Sequence, residues 1–91
     1  MGGIPADVRS RANGDDIAIT VRIGHGGVTD SVVSELIDQL SKRNLVKIKA
    51  NRGVTVGSAE RSELFEMLAT ATDSTLVLQR GNVAVIWSGG R

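Results

Sequence analysis

The run from Ile17 to Lys49, IAITVRIGHGGVTDSVVSELIDQLSKRNLVKIK, places an apolar alternation, a glycine turn, an amphipathic segment and a second alternation in immediate succession. Ile17, Ile19, Val21 and Ile23 recur at every second position against Ala18, Thr20 and Arg22, the period of a half-buried strand. Gly24-His25-Gly26-Gly27 ends the alternation. Thr29 then stands where a helix cap belongs, with Asp30 in the first turn and Lys42 and Arg43 in the last, the charge order that the helix dipole favours. Val32, Val33, Leu36, Ile37 and Leu40 share one face of that helix. From Leu45 to Ala50 the period returns to two, with Val46 and Ile48 opposite Lys47 and Lys49. A strand, a helix and a strand therefore follow one another.

Downstream, a polar loop through Asn51, Arg52, Gly53 and Gly57 leads to Ser58, a second plausible cap, and to a helix whose buried stripe is Leu64, Phe65, Leu68 and Ala71. Thr75 to Gln79 and Val83 to Trp87 read as strands joined by a tight turn at Arg80, Gly81 and Asn82. Val85 and Ile86 are both apolar, so periodicity assigns Trp87 to neither face. Upstream, residues 1 to 16 mix Gly2, Gly3, Pro5, Asn13 and Gly14 with charged residues and sustain no apolar face. They read as a loosely ordered or short-helical N-terminal arm, with a helical turn around Ala6 to Arg11. Residues 17–88 form the single domain and 89–91 a tail.

The resulting order is βαβαββ, an α/β (α+β-like) two-layer sandwich with a four-stranded mixed sheet and helices packed on it. Two helices on one face is the economical choice, because burying both faces would force Arg22, Lys47 and Lys49 into the core. The other face is expected to be basic.

At 91 residues the chain has room for one core. Phe65 and Trp87 are its only aromatic residues, so the core rests on packed aliphatic side chains. The net charge of +1 makes the placement of charge, rather than its total, decide any attraction to a polyanion. Zero cysteines exclude disulfides and thiolate metal sites. No apolar stretch reaches the length of a membrane span and no secretory signal is evident, so a cytoplasmic location without membrane attachment is expected.

The glycine turn admits two readings. Its glycines let backbone N–H groups, backed by the following helix dipole, approach a phosphate without side-chain obstruction. Equally, they make a compact strand-to-helix turn and nothing more. A nucleotide-hydrolysing loop fits poorly, since no Gly-Lys-Ser or Gly-Lys-Thr follows. His25, the sole histidine, lacks the partners for a metal site or a nucleophile relay, and reads as an exposed loop residue able to donate to a phosphate or stack on a base. Asp30, Glu35 and Asp38 read as a solvated helix face. The basic set is Arg22, Lys42, Arg43, Lys47, Lys49, Arg52 and Arg80, which together would form a stripe beside the glycine turn.

The run Val21-Arg22-Ile23-Gly24-His25-Gly26-Gly27-Val28-Thr29, followed by Val32-Val33-Ser34-Glu35-Leu36 and Leu45-Val46-Lys47-Ile48-Lys49, resembles the CRM domain, the small YhbY-like RNA-binding module. Leu76 to Trp87 resembles that family's closing hairpin, so the resemblance covers about residues 17 to 87. It implies a compact α/β domain similar to the C-terminal domain of bacterial initiation factor three, binding structured RNA such as ribosomal RNA or a pre-ribosomal particle. The family's GxxG loop maps onto Gly24, His25, Gly26 and Gly27. Family members often carry lysine directly after the first loop glycine, where this chain has His25. The longer basic N-terminal helix of many members is reduced here to an arm with Arg9 and Arg11.

These readings combine into a non-enzymatic RNA-binding module in ribosome assembly, without cofactor or metal. Gly24, His25, Gly26 and Gly27 with Arg22, Lys47, Lys49, Arg52 and Arg80 form its candidate site. The alternative is a protein interaction module docking through its sheet face or the Trp87 edge, with no direct RNA role. A small phosphate-ligand or enzyme domain is the third option, and the absence of an acid–base set counts against it.

Overall fold

The computed structural model describes residues 4–14, 17–24, 26–51 and 58–89. Three helices and four strands follow in the order α1 (Ala6–Asn13), β1 (Ile19–Ile23), α2 (Asp30–Lys42), β2 (Leu45–Ala50), α3 (Ser58–Ala71), β3 (Thr75–Arg80) and β4 (Val83–Trp87). The strands form one mixed sheet in the order β1-β2-β4-β3. β1 and β2 are parallel, and β4 runs antiparallel to both β2 and β3. β1, β2 and β3 therefore all point the same way, and their C-terminal ends share one end of the sheet with the start of α2.

The main core lies between the sheet and the α2/α3 layer. Val21 and Ile23 of β1, Val46, Ile48 and Ala50 of β2 and Ala84 and Ile86 of β4 meet Leu36 of α2 and Phe65, Leu68 and Ala69 of α3. Both crossover helices thus cover one face, as the lysine alternation in β2 demands. Within α2 the stripe departs from expectation at Ile37, which remains 48% exposed. On α3 the buried positions are Phe65, Leu68 and Ala69, continued by Thr72 just past its end, rather than Ala71, which is exposed. That set is the i, i+3, i+4, i+7 stripe of one helix face.

The expected alternation of β1 breaks once. Ile19 pairs with Lys47, but Val21 pairs with Ile48, so a bulge at Thr20 shifts the register. Val21 and Ile23 face α2 and α3, whereas Ile17 packs in a second cluster on the opposite face. The Thr20 carbonyl accepts a hydrogen bond from the Gln39 Nε2 of α2 at 3.3 Å, which ties the bulge to the helix layer. A similar shift between Leu76 and Leu78 turns Val77 and Leu78 of β3 toward the second face.

That second face is partly covered. Val8 and Ala12, one helical turn apart on α1, are buried with Leu45 and Val85, and Ile4, Val77, Leu78 and Trp87 pack around them. The arm expected to be loosely ordered or short-helical is an eight-residue helix docked on the β3–β4 side of the sheet. Trp87 belongs to this layer. Arg22 is exposed, but Lys47 and Lys49 are only half-buried rather than fully solvated, because α1 and its cluster crowd this face.

Candidate nucleic-acid interface

The glycine turn, Asn51 and the β3–β4 turn lie together where β1, β2 and β3 end. Gly27 donates its N–H to the Gly24 carbonyl at 3.0 Å, which closes the glycine turn, and its φ of 67° lies where a side chain is disfavoured. Its amide is spent inside the turn, so Gly27 contributes the bend rather than a free donor. The amides of Gly24 and Gly26 have no partner among the described residues. A Cβ placed on Gly24 would meet open space, whereas one on Gly26 would come within 3.2 Å of the Thr29 side chain.

Thr29 caps α2 as expected, its Oγ1 accepting from the Val32 N–H at 3.3 Å. The amides of Asp30 and Ser31 keep no partner among the described residues, so the N-terminus of α2 presents donors beside the glycine turn. Asp30 itself is exposed in that first turn and offsets part of the dipole. Main-chain donors at a helix end are worth about 0.3–1 kcal/mol to an anion. The sheet cations therefore have to supply the larger share.

Those cations lie in a row. Arg22 is the register partner of Lys49, Lys49 of Val83 and Val83 of Arg80, so Arg22, Lys49 and Arg80 cross all four strands at one level, immediately below the loops. Register partners in a sheet project from the same face, here the one bearing α1. Lys47 sits one step further from the loops, beside Ile19 and Val85. Among the described residues the ion pair is Lys42–Asp38 at 3.1 Å, which leaves the row without carboxylate partners there. Lys42 and Arg43 end α2 at the opposite end of the sheet, about 20 Å along a 13-residue helix from the glycine turn, and do not extend the row. His25 and Arg52, with the loop through Gly53 and Gly57, lie outside the described residues.

Two asparagines that composition and period did not single out organise this end. Asn82 exchanges hydrogen bonds with Ala50, its Nδ2 donating to the Ala50 carbonyl and its own carbonyl accepting the Ala50 N–H, both at 2.8 Å. The Asn51 N–H donates to the Ile23 carbonyl at 2.9 Å, so the ends of β1, β2 and the β3–β4 turn are stitched together. Gly81 alone in that turn takes positive φ, 55°, leaving Asn82 free to use its side chain. Asn13 at the end of α1 accepts from Arg80 Nη2 at 2.8 Å. A turn residue's side-chain partner across the sheet leaves no local sequence signal. A cleft of about 330 Å³ between Ile37, Leu40, Thr72 and Ser88 lies at the other end and has no cation in its lining.

The model of the CRS1/YhbY (CRM) domain matches residues 8–88, nearly the whole chain. The protein belongs to the CRM domain family. As a CRM domain it is similar to the hypothetical protein SAV1595 of Staphylococcus aureus, a candidate RNA-binding protein known from its solution structure. The two chains are 29% identical with a TM-score of 0.74 over 93% of this chain and 83% of that one. No curated protein matches. The match begins at Val8, within α1. Among the described residues no three metal-ligating side chains converge, and no helix is long and apolar enough to cross a membrane.

Proposed function

We propose that this CRM domain is a non-enzymatic RNA-binding protein acting on ribosomal RNA or its precursors in ribosome assembly. The observation that carries the reading is the register row Arg22–Lys49–Val83–Arg80, which sets three cations beside the amides of Gly24, Gly26 and the α2 N-terminus, none of them partnered among the described residues. Phosphates of an RNA backbone laid along this end would meet the amides at the turn and the cations on the sheet. Lys47 adds charge deeper on the same face, and His25 and Arg52, adjacent in sequence to Gly24 and Asn51, belong to the same proposal. Gly27 acts by shaping the turn.

Crosslinking in cells, followed by sequencing of the attached RNA, tests both levels of the proposal. Ribosomal RNA and its precursors should dominate the recovered reads, and Gly24→Glu, which fits the open space at that position but adds a negative charge, should deplete them. Recovery of no RNA, with flat salt dependence of binding to a structured RNA in vitro, would instead identify a protein-docking module.

A further inference from the structure

We infer that the α1-bearing face of the sheet holds a seat for one unpaired nucleotide of the bound RNA, an extension that rests on the RNA-binding reading above. A cleft of about 240 Å³ opens where the end of α1 meets the sheet. Ile19, Leu78, Val83 and Val85 give it apolar walls, and Lys47 and Arg80 line it with positive charge. Its volume falls below the usual range of sites for larger ligands and suits a single ring system. An apolar slot with cations at its side matches a flat hydrophobic group that carries an anion, which is the chemistry of a nucleotide.

Arg80 is held in place. Its Nη2 donates to Asn13 Oδ1 at 2.8 Å, and Asn13 Nδ2 donates in turn to the Arg9 carbonyl at 2.9 Å. One donor is spent on this tether, and the remaining guanidinium N–H groups have no partner among the described residues. A guanidinium fixed at the mouth of a cleft can bridge two phosphate oxygens or lie flat on a base. Lys47 is half-buried without a carboxylate among the described residues, so an incoming phosphate would compensate its lost hydration.

The seat continues the row already described. Arg80 belongs both to the cleft and to the level of Lys49 and Arg22, about 14 Å apart from end to end at the usual strand spacing. A backbone crossing that row brings one of its nucleotides to the cleft. Paired bases in an A-form helix are stacked inside and cannot enter, so the occupant comes from a bulge, a loop or an end.

The test uses the full chain and two synthetic RNA hairpins, one fully paired and one with a single bulged 2-aminopurine. Burying one base is expected to make the bulged hairpin bind on the order of tenfold more tightly, with a change in 2-aminopurine emission. Methyl groups of Ile19, Leu78 and Val85 should show intermolecular NOEs to the bulged base. Arg80→Ala and, separately, Asn13→Ala, both at exposed positions, should erase most of the bulge preference. Equal affinity of the wild-type chain for both hairpins would overturn the seat while leaving RNA binding intact. Binding to neither hairpin would overturn both, and NOEs from the bulged base confined to the α2/α3 layer would overturn the seat alone.

Discussion

Replacing Arg22 and Lys49 together by threonine asks whether the cations at the loop end of the sheet act through charge. The two are register partners on adjacent strands, so the variant removes a contiguous pair from the row and leaves Lys47 and Arg80. Each phosphate contact adds about 0.7–0.9 to the slope of log affinity against log salt, so contacts from all four residues give a slope of about −3. Raising salt from about 50 to about 200 mM should then weaken wild-type binding about 60-fold. With two contacts left, the slope falls to about −1.5 and the same step costs about eightfold. Fluorescence anisotropy with a labelled hairpin across a salt series measures both slopes. Threonine keeps strand propensity, and separating like charges that face each other across strands relieves up to about 1 kcal/mol, so thermal stability should hold or rise. A folded double variant that retained the wild-type slope would refute the assignment of affinity to this row.

Gly27→Ala forces a side chain into positive φ and should destabilise the fold by about 1 kcal/mol in chemical denaturation. Gly24→Ala should shift stability by less than about 0.5 kcal/mol, because its Cβ meets open space; comparable losses at both positions would contradict this contrast. Val8→Ala removes two buried methyl groups from the contact of α1 with the sheet and should cost about 1–2 kcal/mol. Trp87, the sole tryptophan, packs in the same cluster, so its fluorescence should report the loosening; an unchanged spectrum with full stability would show that α1 contributes little to the fold.

Much of the architecture was legible because its periods are unmixed. β2 and β4 occupy the expected spans Leu45–Ala50 and Val83–Trp87, and α2 follows its Thr29 cap directly. The lysines alternating with Val46 and Ile48 were enough to place both long helices on one face. What escaped the sequence were departures from period. The bulge at Thr20 reverses the side on which Ile17 lies, and a bulge depends on the partner strand, which a local pattern does not contain. The helical turn around Ala6 to Arg11 was expected, but its docking on the sheet escaped because only Val8 and Ala12 face the core, too short a stripe to stand out among Asp7, Arg9, Ser10 and Arg11.

The candidate site divides in the same way. The residue types near the turn were evident, and the alignment of Arg22, Lys49 and Arg80 across four strands needed the register of all three strand pairs. Lys42 and Arg43 belonged to the same sequence-derived stripe, and the length of α2 removes them from it. Asn13 read as part of the N-terminal arm and Asn82 as an ordinary turn residue. Their bonds to Arg80 and Ala50 join positions 67 and 32 residues apart.

The last described strand is an interior strand of the sheet: β4 inserts between β2 and β3 and supplies the ladder that joins the two. A nascent polypeptide that has made β1 through β3 has no hydrogen-bonded ladder to connect its parallel pair with its distant edge. Shortening β4, or a proline at Val85 in its middle, should therefore collapse the whole domain in one cooperative step rather than fray it, since half a sheet is left without a seam.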